Sequence, residues 1–61
     1  MNGNFIIRVR ELDKDNKETD REIGEASDME VALVMFKQAI FNFTTVELVK
    51  NGRVFARYND A

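Results

Sequence analysis

The side chains in this chain that could do chemistry are almost all carboxylates. There are eleven Asp and Glu residues, against nine Lys and Arg, one tyrosine, no cysteine and no histidine. The absence of cysteine removes disulfides and thiolate metal sites, and the absence of histidine removes the commonest zinc ligand and the commonest general base. Ser27 is the one serine and has no histidine to activate it. A carboxylate pair for acid–base work would need a shaped pocket, and ligand pockets usually run to about 300 Å3 or more. A 61-residue chain has little volume for one. Asp13, Asp15 and Asp20 raise the question of calcium. The stretch Asp13-Lys14-Asp15-Asn16-Lys17 lacks the glycine at position six and the glutamate at position twelve that a helix–loop–helix calcium site requires. Gly3, Gly24 and Gly52 are isolated, so there is no phosphate-cradling loop. The expectation is a protein without catalytic, metal or cofactor residues, one that works by binding.

The charges that remain are unevenly distributed. From Glu11 to Glu30 there are nine acids and three bases, a net charge of −6. The other residues hold six bases (Arg8, Arg10, Lys37, Lys50, Arg53 and Arg57) against Glu47 and Asp60, a net +4. An acidic surface attracts a basic site on another protein. If the last hairpin packs Val49, Val54, Ala56 and Tyr58 inward, then Arg8, Arg10, Lys50, Arg53 and Arg57 share the outer side of a sheet. That face would be a single-strand nucleic-acid platform. An overall pI near 5.0 opposes it.

The elements that must position these groups are legible in the apolar spacing. Phe5, Ile7 and Val9 alternate with Ile6, Arg8 and Arg10, the period-two pattern of a half-buried strand over Phe5–Leu12. The segment from Asp13 to Lys17 reads as a turn, and Glu18–Glu25 as a charged edge strand. Ser27-Asp28-Met29-Glu30 matches a capping box with Ser27 as cap, opening a helix from Asp28 to about Asn42. Its core stripe is read as Met29, Ala32, Leu33, Phe36, Ile40 and Phe43. Thr44–Tyr58 reads as a hairpin around Asn51-Gly52, the preferred pair for a type I′ turn. That turn sets Lys50 opposite Arg53, Val49 opposite Val54 and Leu48 opposite Phe55. The tail from Asn59 to Ala61 reads as frayed. The fold class is therefore α+β, a single domain over residues 1–61. It is a four-stranded antiparallel sheet (ββαββ, order 2-1-3-4) with one helix on one face.

This arrangement has more apolar surface than one sheet face can bury. Val31, Val34, Met35 and Phe41 flank the helix stripe, and the last hairpin is apolar on both sides. The expected interaction surface is Val34, Met35 and Phe41 on the helix, or Val49, Val54 and Tyr58 on the sheet. A domain this small buries only about 60% of its unfolded surface. Self-association as a homodimer answers both observations. No run approaches the ~20 apolar residues of a membrane span, and Met1-Asn2-Gly3-Asn4 is not a signal peptide. The chain therefore reads as a complete cytoplasmic protein.

The segment V-E-L-V-K-N-G-R-V-F-A-R-Y, following a helix that opens A-S-D-M-E-V-A-L, resembles small uncharacterised proteins of bacteriophages and prophages. The resemblance spans Ala26 to Tyr58 and is one of sequence style. It implies a protein that binds and modulates a host protein, sometimes as a dimer, and it assigns no functional residue.

Overall fold

A computed structural model describes residues 3–59, so the readings made of Met1, Asn2, Asp60 and Ala61 lie outside the described residues. Four strands and one helix follow in the order β1 (Phe5–Leu12), β2 (Glu18–Ala26), α1 (Met29–Ile40), β3 (Thr45–Lys50) and β4 (Arg53–Asn59). The sheet order is β2-β1-β3-β4, antiparallel throughout, with the helix on one face. The α+β fold expected from the apolar spacing is the fold observed.

Alternation fixes which face is core. Phe5, Ile7 and Val9 of β1 sit opposite Lys50, Leu48 and Val46 of β3. Directly paired residues share a face, and α1 lays Ala32, Phe36 and Ala39 onto this one. Ile7, Val9, Val46 and Leu48 are each no more than 1% exposed. The helix packs over β1, β2 and β3 and leaves β4 at the margin.

Three local features depart from expectation. The helix is capped by Asp28, not Ser27. Asp28 has extended backbone, and its Oδ1 accepts from the Glu30 N–H at 3.0 Å. The carboxylate also suits the positive end of the helix dipole better than a hydroxyl does. The buried stripe is also rotated toward Ala39 and Met35, which leaves Met29 48% and Leu33 36% exposed. Finally, both hairpins contain a bulge. In β2 the pairing passes from Gly24 to Glu22, so Ile23 is extra. In β4 it passes from Val54 to Ala56, so Phe55 is extra and Leu48 faces Ala56 instead. Each bulge inserts one residue and reverses the facing of the residues beyond it.

The turns follow their chemistry. Asn51 (φ 52°) and Gly52 (φ 76°) both take the left-handed conformations of a type I′ turn. Asn16 (φ 61°) does the same in the first turn, where Asp13 Oδ1 accepts from the N–H groups of Asp15 and Lys17. Asn59 lies in β4, not in a frayed tail.

Candidate protein interface

Each of the two alternative surfaces expected for interaction, one on the helix and one on the last hairpin, is divided by the fold. Val34 and Phe41 do lie together on the solvent side of α1, 54% and 87% exposed. Met35 does not join them. It is half-buried against the core and lines a recess of about 220 Å3 with Ile7, Ile23, Gly24 and Phe43. A Cβ at Gly24 would overlap the Met35 methyl group, so the glycine lets helix and edge strand approach.

The three hairpin residues split between faces. Tyr58 sits opposite Val46 on the helix side and packs against the core. Val49 and Val54 are paired on the outer face, beside Ile6. Val49 is 7% exposed and Val54 47%, so this outer apolar patch is small.

The five bases are separated for the same reason. Lys50 and Arg53 are paired in register with Phe5, on the helix side. There the Lys50 Nζ stands 4.5 Å above the Phe5 ring. The β4 bulge reverses the facing beyond it, so Arg57 joins Arg8 and Arg10 on the outer face. These three arginines are not free. Arg8 donates from Nε and Nη2 to Glu47 Oε1 at 3.0 and 2.7 Å. Arg57 Nε lies 3.7 Å from the other oxygen of Glu47. Arg10 donates to Asp20 at 3.1 Å and stands 3.8 Å from Glu18. The hydrogen bond to Asp20 and then its charge raise the Arg10 pKa above its ordinary value. By register the outer face carries Arg8, Arg10 and Arg57 against Glu18, Asp20, Glu22, Glu25 and Glu47, three positive charges against five negative.

Besides the small outer patch of Val49 and Val54, apolar residues stay exposed on two flanks of the helix. One is the outer side of α1, with Val31 (50%), Val34 and Phe41. The other is the flank of the helix opposite Met35, with Met29 and Leu33. Separately, Phe55 on β4 is 57% exposed and edge-on to the Phe5 ring at 5.8 Å. Reading the sequence assigned Met29 and Leu33 to the core stripe and set Phe55 opposite Leu48; the bulge takes Phe55 out of that pairing and puts Ala56 there. A second groove of about 540 Å3 runs past Arg10, Glu18, Thr45, Arg57 and Asn59, and its two arginines are already engaged with carboxylates. Among the described residues no group of three acids is placed to hold a metal ion, and no helix is long and apolar enough to cross a membrane. Comparison with protein-family models, with curated proteins and with solved structures found no match.

Proposed function

We propose that this chain is a small non-enzymatic binding module that modulates a protein partner and acts as a homodimer. This is the role its resemblance to phage and prophage proteins implies. The observation that carries the reading is the pair of separate apolar surfaces left uncovered, one on each side of α1. Phe41, at 87% exposure, is the extreme case. Contiguous exposed apolar surface on a soluble domain marks interaction sites, and two such surfaces allow one for self-association and one for another protein. The mixed, internally paired outer face supports this reading over nucleic-acid binding, which needs unpaired positive charge along a groove.

The test is affinity capture from cells of the source organism, comparing the unaltered chain with Leu33→Ser/Phe55→Ser and with Val34→Ser/Phe41→Ser. A protein retained by the unaltered chain and lost with either variant supports the reading. Retention unaffected by both variants, or retention of nucleic acid alone, contradicts it.

A further inference from the structure

The outer side of α1 has a spacing that the fold does not use. Val31, Val34, Gln38 and Phe41 succeed one another at steps of three, four and three. At about 100° per residue they fall within an arc of roughly 80°, nearly opposite Ala32, Phe36 and Ala39, which face the sheet. All four are exposed. Three-four-three is the a/d spacing of a two-helix seam, and a single polar residue at an a position is a known device for fixing register and copy number. The only charges on the helix are Glu30 and Lys37, on one side of this line.

We infer that this line is a dimerisation seam occupied by α1 of a second copy of the chain, with the two helices parallel. This rests on the proposed self-association and deepens it by naming the surface and its geometry. The fold leaves surface for a partner to cover: the chain exposes 4669 Å2, about 600 Å2 more than a compact monomer of 7.1 kDa. The seam is the part of that surface where Val31, Val34 and Phe41 are 50%, 54% and 87% exposed.

Polar complementarity selects the direction. In a parallel pair, Gln38 meets Gln38 of the second copy, and the two amides each donate and accept. Lys37 then lies beside Asn42 of the second copy. An antiparallel pair filling the same layers sets Val31 against Phe41 and Gln38 against Val34. It also brings the two Lys37 ammonium groups together at the two-fold axis, a like-charge contact that is unfavourable. Val34 and Phe41 therefore meet their own counterparts.

The chain has no cysteine, so an introduced one reports only on where it is placed. A disulfide needs Cβ atoms about 3.5–4.5 Å apart. Val34→Cys, oxidised with a glutathione couple at tens of micromolar, should give at least tenfold more covalent dimer than Val54→Cys on the outer sheet face. A mixture of Val31→Cys and Phe41→Cys chains should give no excess of the mixed dimer. Circular dichroism of each reduced variant confirms that it is folded. Preferential cross-linking of Val31→Cys to Phe41→Cys overturns the parallel arrangement. Cross-linking at position 54 equal to that at 34, or a dimer by sedimentation with no cross-link at 34, overturns the seam while leaving self-association standing. A chain that stays at 7.1 kDa in sedimentation and does not cross-link overturns both.

Discussion

The ion pair between Arg8 and Glu47 allows the account of the outer face to be tested quantitatively. Glu47 is the hub. Its Oε1 takes two hydrogen bonds from Arg8, and its Oε2 stands 3.7 Å from Arg57. Its side chain is 12% exposed, against 35% for Arg8 and 52% for Arg57. Exposed pairs contribute about 0.2–1 kcal/mol, and hydrogen bonds to charged groups about 1.5–3 kcal/mol. The two-donor pair with Arg8, partly shielded, should fall between these, near ~1 kcal/mol of coupling in a double-mutant cycle. The longer, more exposed contact with Arg57 should give no more than ~0.5 kcal/mol. Glu47→Ala loses both contacts and leaves Arg8 without its acceptor, a cost of about 1.5–2 kcal/mol. For a domain of this size that lowers the melting temperature by roughly 6–15 °C. Urea unfolding of Arg8→Ala, Arg57→Ala, Glu47→Ala and the two doubles measures each coupling. A repeat at 1 M salt should shrink the Arg57 coupling further than the Arg8 coupling, because exposed charges are screened more. An Arg8 coupling below ~0.3 kcal/mol, or one no larger than that of Arg57, would show that the arginines are loosely held and available to a ligand.

Other outcomes depend on the local geometry. Asp28→Ala should cost about 1 kcal/mol in urea unfolding, while Ser27→Ala should leave the midpoint nearly unchanged, because the Glu30 amide is capped by Asp28. The reverse ranking would move the cap. Gly52→Ala should cost on the order of 1 kcal/mol or more at φ 76°, although a Cβ there meets nothing, so the loss is conformational. An unchanged midpoint would remove the type I′ assignment. Fluorescence titration with single-stranded DNA or RNA should show nothing tighter than the non-specific range of roughly 10⁻⁴–10⁻⁶ M at physiological salt. A sub-micromolar, salt-sensitive complex abolished by Arg8→Glu would overturn the reading of the outer face.

Local pattern made the elements and their order legible. The alternation of Phe5, Ile7 and Val9 with Ile6, Arg8 and Arg10 marks β1 as a half-buried strand. The rule that every neighbour be antiparallel sets it beside β3, and the charge density of β2 places that strand at an edge. Asn51-Gly52 fixed the register of the last hairpin as far as Val49 and Val54. Beyond that pair the bulge at Phe55 intervenes, and nothing in the run R-V-F-A-R-Y marks which residue will be extra. One inserted residue was enough to move Tyr58 to the core side and Arg57 to the outer face. The cap differed by a single position because Ser27 and Asp28 are both good cap residues, and local sequence alone does not choose between them. Met35 was misplaced for another reason. Its burial depends on the absence of a side chain at Gly24, on an element eleven residues away. The exposed ridge of Val34 and Phe41 was legible because exposure opposite a core stripe is a property of one helix by itself.

The central claim is that this ridge binds protein, first of all a second copy of the chain. Sedimentation equilibrium from about one to a few tens of micromolar, run on the unaltered chain beside Val34→Glu, tests it most directly. Position 34 faces solvent in the monomer, so the variant should keep its helical circular dichroism and remain at 7.1 kDa. The unaltered chain should rise with concentration toward twice that mass, with a melting temperature that rises in parallel through mass action. An unaltered chain that holds at 7.1 kDa across the range, or a Val34→Glu variant that associates as strongly, would contradict the account.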